Sequence, residues 1–223
     1  MSTDENRLEG LTKDISVIKS AIRANSGFLR HILAAPVMGG VGIAIGLLAI
    51  VLPLAWEIAG RRYGTIGAAP PGVIIILISV TVLAVIAVGI WKNAALRRAA
   101  RNVDSRYTLL TLFDELAEHP AVHAQGAVVL LATVLAVVAG RAGAGNLVLA
   151  AIAGGIGTTF MLYTVAFLLK EYMLAALWLY AVTVAAVLLP AVSALVLTAA
   201  GIGPGFIIFG VLCNRAKREA DRS

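Results

Sequence analysis

Six stretches of this chain are each apolar enough, for long enough, to cross a lipid bilayer, and nothing else in the sequence constrains its fold so tightly. Crossing a hydrocarbon core of roughly 30 Å takes about 20 helical residues at 1.5 Å each. The runs fall at about 31–56, 67–91, 124–140, 146–168, 173–189 and 191–213. They predict an all-α, polytopic membrane protein with six transmembrane helices. Composition agrees: 60% of residues are hydrophobic and 13% charged. Soluble domains carry about a quarter charged residues, so an ordinary water-soluble globule is excluded. The single cysteine, Cys213, excludes a disulfide framework and any multi-cysteine metal site within the chain.

The basic residues set the expected orientation. Five precede span one (Arg7, Lys13, Lys19, Arg23, Arg30) and five follow span two (Lys92, Arg97, Arg98, Arg101, Arg106). Lys170 lies between spans four and five, and Arg215, Lys217, Arg218 and Arg222 close the chain. Only Arg61, Arg62 and Arg141 fall on the other side. Lys and Arg accumulate in cytoplasmic loops, so the division predicts an N-in/C-in arrangement and an even number of crossings. Six matches the runs; four would make two later runs buried or re-entrant. Trp56, Tyr63, Trp91 and Tyr172 sit at the ends of spans, at the depth indole and phenol rings prefer. The charged stretch before span one is too long and too acidic for a signal peptide, so span one is expected to be retained.

Two segments are polar enough to lie outside lipid. In 1–30, Leu8, Leu11, Ile15, Ile18 and Ile22 recur at alternating spacings of three and four, one stripe of an amphipathic helix. Asn25-Ser26-Gly27 supplies its stop. The connection 92–123 also reads as a cytoplasmic helix, with Leu96, Val103, Tyr107, Leu110 and Phe113 near one face. Its opening carries Arg97, Arg98 and Arg101, placed to meet anionic lipid headgroups at about 1 kcal/mol each. A surface this small does not suit nucleic acid. The two cytoplasmic helices are expected to bury their stripes against each other, although the first could instead lie in the headgroups or pair with a second copy.

Groups able to do chemistry are few. No span carries an acid or base in its middle third, and no H-E-x-x-H, G-x-S-x-G or P-loop pattern occurs. His119 and His123 stand four apart beside Asp114, Glu115 and Glu118, a spacing that can hold a transition metal. Pro120 interrupts any helix through them, however. The structural alternative makes His119 a cap and Pro120 the first residue of span three. Neither a catalytic residue nor a cofactor site can be assigned.

Small residues are plentiful. Gly39, Gly40 and Gly42, with Gly46, stand in span one; Gly154, Gly155 and Gly157 stand in span four. Small residues four apart let helix backbones approach closely. Alternatively, two corresponding helices are loosened at a binding site, as in inverted-repeat transporters, since spans one and four match weakly at an offset of 115 residues. Gly203, Pro204 and Gly205 fall inside span six and predict a distorted helix there. Ser79, Thr81, Thr133, Tyr163, Thr164, Tyr180, Thr183 and Ser193 could line a mildly polar path, or bond back to their own helices.

With Asp14-Ile15-Ser16-Val17-Ile18-Lys19 and Phe28-Leu29-Arg30 ahead of two spans, a basic connection and a compact four-helix half, the chain resembles a group of uncharacterised bacterial six-span integral membrane proteins. It departs from them in the last half, where Ala, Val and Leu replace aromatic-rich helices. The resemblance implies the same topology and a bacterial inner membrane, and no particular activity.

The expected layout is therefore a cytoplasmic amphipathic helix (1–30), spans one and two (31–91), a cytoplasmic helical connection (92–123), spans three to six (124–213) and a basic tail (214–223). The function expected of it is non-enzymatic: a structural, regulatory or partner-binding role in the plasma membrane, through the cytoplasmic helices. Its partners would be anionic lipid and a second copy or a cytoplasmic protein. A small carrier for an apolar or weakly polar solute is the alternative, and a membrane-embedded lipid-modifying enzyme the third.

Overall fold

The structure, a computed structural model, describes residues 36–103, 117, 119–167 and 169–220. The amphipathic segment expected at 1–30 and most of the second half of the 92–123 connection lie outside the described residues.

The described chain is helical. In order come α1 (Pro36–Tyr63), a short 3₁₀ turn (Ile66–Ala68), α2 (Pro71–Val103), α3 (Pro120–Arg141), α4 (Gly145–Phe167) and α5 (Lys170–Leu188). Then α6 (Ala194–Leu197), a π-helical turn (Thr198–Ile202) and α7 (Gly203–Ala220) follow as one nearly continuous rod. Pro36, Pro71 and Pro120 each open a helix, where the missing N–H would have had no intrahelical partner anyway. Gly64 and Gly143 take positive φ of 80° and 71° in the turns after α1 and α3.

Six helices are long and apolar enough to cross a membrane: Met38–Tyr63, Pro71–Arg98, Pro120–Arg141, Gly145–Phe167, Lys170–Leu188 and Ala194–Arg215. Span one differs from its expected limits. The helix runs past residue 56 to Tyr63, and Glu57 pairs with Arg61 one turn further on, at 2.9 Å. The second helix likewise continues beyond its apolar stretch to Val103, carrying Lys92, Arg97, Arg98 and Arg101 on the same rod.

Two tightly packed pairs form the centre. α4 packs along α5, and α1 runs antiparallel to α7, so that Gly39 lies beside Asn214 while Gly46 lies beside Gly203. α5 joins the pairs through α7 and the π turn. One buried cluster gathers Phe167, Leu169, Tyr172, Ala175, Phe209 and Cys213; the other gathers Leu149, Ala153, Leu179, Val182, Ala186 and Ile202. Phe160 links the two, edge-on or tilted to Tyr172, Phe206 and Phe209 at centroid separations of 5.2–5.7 Å. Such ring pairs add to simple area burial.

α2 and α3 are flanking helices. Among the described residues, α2 packs substantially on α1 alone and α3 on α4 alone. Both leave rows of large apolar side chains exposed, including Ile75, Ile76, Leu83 and Ile90 on α2 and Leu130, Leu131 and Val138 on α3. A patch of this extent is untenable in water and suits contact with lipid chains.

The antiparallel packing sorts the helix ends into two sets. The starts of α1, α3 and α5 meet the ends of α2, α4 and α7, as Gly40 against Trp91, His119 against Phe167 and Tyr172 against Phe209 attest. We call this the basic end, because Lys92, Arg97, Arg98, Arg101, Lys170 and Arg215 all emerge there. Arg61, Arg62 and Arg141 emerge at the opposite end.

Candidate functional site

The glycines singled out in the sequence do not converge on one cavity. In span one, Gly39, Gly42 and Gly46 face α7. A Cβ on Gly39 would lie 2.8 Å from the Gly210 carbonyl, one on Gly42 3.2 Å from the Gly210 Cα, and one on Gly46 2.6 Å from the Gly203 carbonyl. Gly40 faces the other way, toward the Trp91 ring at an ordinary 3.6 Å. Those of span four divide between neighbours: Gly155 toward Ala132 of α3, Gly154 toward Thr183 and Gly157 toward Tyr180 of α5. In span six, Gly203 meets Ile50 and Gly205 meets the Trp178 indole. What these residues build is a set of close backbone approaches, of which the α1–α7 seam is the most extended. Gly210, a principal partner in that seam, escaped the sequence reading. Its spacing of seven from Gly203 puts both on one helix face, and that was the available signal.

Span six is distorted where Gly203-Pro204-Gly205 predicts. Pro204 cannot donate, and the backbone passes through a π turn just before it, with the Gly203 N–H reaching the Thr198 carbonyl. The Gly201 carbonyl within the turn accepts the Trp178 indole N–H at 2.7 Å. One carbonyl of the irregular backbone is therefore served by a neighbouring helix.

The hydroxyls do not form a path either. Thr81, Thr133, Thr164 and Thr183 each donate to the carbonyl four residues earlier, at 2.7–2.9 Å. Tyr180 donates to Thr158 at 3.2 Å, and Tyr163 to the Gln125 amide oxygen. Gln125, the one amide in α3, was missed from sequence, although a lone Gln within an apolar run is itself a signal. Ser79 is exposed on α2.

At the end opposite the basic one, Ser193 caps α6 by accepting from the Leu195 N–H at 3.3 Å, and donates to Glu57 of α1 at 2.6 Å. Asn146 of α4 donates to the Leu189 and Val192 carbonyls at 3.0 and 3.1 Å. Side chains from two other spans thus hold the α5–α6 loop. An open hollow of about 630 Å³ lies beside it, between that loop and the α3–α4 turn. A smaller, apolar groove of about 460 Å³ lies between α3 and α4.

At the basic end, His119 caps α3: its Nδ1 accepts the Ala121 N–H at 3.2 Å, with Pro120 as the first helical residue. Its ring lies 4.8 Å from that of Phe167. His123 is exposed one turn into α3. Asp114, Glu115 and Glu118 lie outside the described residues, and among the described residues no three metal-ligating side chains gather. Arg97, Arg98 and Arg101 are exposed at the end of α2. Among the described residues the ion pair is Glu57–Arg61, at the other end of the molecule.

Fold and contacts together define an all-helical bundle whose six principal helices are each able to cross a membrane. No protein-family model, curated protein or solved structure matches the chain.

Proposed function

We propose that the chain is a non-enzymatic, multi-pass protein of the bacterial plasma membrane, oriented N-in/C-in. Its role is structural, regulatory or partner-binding, exercised through the cytoplasmic segments at the basic end. The observation that carries this reading is the α1–α7 seam. Where a carrier built from spans one, four and six would need a passage, glycine backbones of α1 and α7 touch and the Gly201 carbonyl of the π turn is taken by Trp178. Charge supports the orientation, since the helix ends rich in Lys and Arg collect on one side. Anionic headgroups and either a second copy or a cytoplasmic protein are the partners that side suits.

Native-gel migration of the chain extracted from its own membranes, after cross-linking in situ, tests the proposal. The full chain is expected in an assembly larger than its 23.1 kDa monomer, and removal of residues 1–27 is expected to release it without loss from the membrane. Migration as a monomer both with and without those residues contradicts the partner-binding role.

A further inference from the structure

We infer that the hollow at the end opposite the basic one binds a small neutral solute, one with an apolar body and a hydrogen-bond-donating group of the kind an alcohol carries. The site lies away from the segments to which the proposed function assigns partners. It depends neither on that function nor on the orientation.

Two segments form the hollow: the α3–α4 turn with the start of α4, and the α5–α6 loop with the end of α5. Each is fixed by hydrogen bonds. In the turn, the Gly143 N–H donates to the Gly140 carbonyl at 3.0 Å and the Ala144 N–H to the Ala139 carbonyl at 2.9 Å. In the loop, the Val192 N–H donates to the Leu189 carbonyl at 3.1 Å. Asn146 of α4 and Glu57 of α1 then pin that loop from two other spans. About 630 Å³ between walls held in this way is the size of a small-molecule site, and little of its rim has to be ordered on binding.

The lining selects the chemistry. Asn146 spends both amide hydrogens on the Leu189 and Val192 carbonyls. A flipped amide would set its oxygen against those same carbonyls, so Oδ1 is held as the atom left to accept. Ser193 spends its single hydrogen on Glu57, at 2.6 Å. The two polar side chains in the lining are therefore spent as donors, and a ligand that pairs with them must itself donate. Leu147, Val187 and Pro190 supply apolar wall. A charged donor suits the hollow less well than a neutral one. Among the described residues no charged side chain lines it, so an ammonium would give up hydration without a counter-charge. Glu57, behind Ser193, is already paired with Arg61, and Arg62 and Arg141 emerge at the same end.

Protection of a cysteine in the hollow tests the site, with the full chain in detergent and Cys213 replaced by alanine. The probe is hexan-1-ol; its isomer 1-methoxypentane, which accepts but cannot donate, is the comparison. Ala191→Cys is exposed and lines the hollow, whereas Thr65→Cys is exposed outside it. Hexan-1-ol should slow maleimide modification of Ala191→Cys and leave Thr65→Cys unchanged. Half-protection should need about fivefold less of the alcohol than of the ether, the share of one hydrogen bond. Asn146→Ala should erase that advantage. Val187→Trp, which fills the hollow from an exposed position distinct from both pins, should remove the protection itself. Equal protection by the ether or by hexylammonium would overturn the site. Equal slowing at Thr65→Cys, or protection that survives Val187→Trp, would overturn it too.

Discussion

Replacing Gly46 with alanine adds a methyl group to the seam between α1 and α7, where it meets backbone. The new Cβ would lie 2.6 Å from both the Gly203 carbonyl oxygen and Ile207 Cγ1, and 2.8 Å from the Ile207 nitrogen. Ordinary contact begins near 3.4 Å, so the two helices must part locally by roughly 0.8 Å. A gap of that width forfeits about a quarter to a half of the dispersion energy of each contact it opens. Overpacking of this kind costs about 1–3 kcal/mol, and no flexible side-chain tip is available to absorb the oxygen clash. Gly89→Ala on α2 is the control, since nothing lies within 4 Å of its added Cβ. There the gain in helix propensity should leave stability unchanged or raise it by up to about 1 kcal/mol. Unfolding in mixed micelles titrated with a denaturing detergent, followed by tryptophan fluorescence, compares them. Equal midpoints for Gly46→Ala and Gly89→Ala would refute the close approach of α1 and α7.

Two further contacts yield contrasting pairs. Glu57→Gln and Ser193→Ala should be coupled, by about 1 kcal/mol or more in a double-mutant cycle, because the carboxylate accepts directly from the hydroxyl that caps α6. Arg61→Gln should cost under about 1 kcal/mol, since its side chain is 73% exposed. At the other end, His119→Ala should cost about 1 kcal/mol through loss of the α3 cap, whereas His119→Asn, which can still accept from Ala121, should retain most of it. The same unfolding titration reads both.

Six apolar runs translate directly into six long helices because hydropathy and helix length are local properties of the chain. Irregularity is legible where its cause is local too: Pro204 among glycines marks the distortion of span six, and His119-Pro120 marks the start of α3. Boundaries set by tertiary partners are less so. Hydropathy ends span one at Trp56, yet the helix carries Glu57 onward, since Arg61 one turn later and Ser193 in a distant loop accommodate the carboxylate. Partner choice is the least legible. The weak repeat relates spans one and four, but Gly39, Gly42 and Gly46 of span one close against Gly203 and Gly210 of α7, while those of span four serve α3 and α5. Nor are the halves packed alike, for α5 touches α7 and the π turn whereas, among the described residues, α2 rests substantially on α1 alone. A glycine announces that something comes close; which helix comes is decided by the whole bundle.

The most direct test is the accessibility of single cysteines to a membrane-impermeant maleimide in intact cells, with Cys213 replaced by alanine. Thr65→Cys and Ala142→Cys, both exposed opposite the basic end, should label from outside. Asn93→Cys and Lys170→Cys, exposed at the basic end, should label only after the membrane is opened. Labelling of Asn93→Cys or Lys170→Cys in intact cells, or protection of either outer position, would contradict a six-crossing bundle with its basic end held inside.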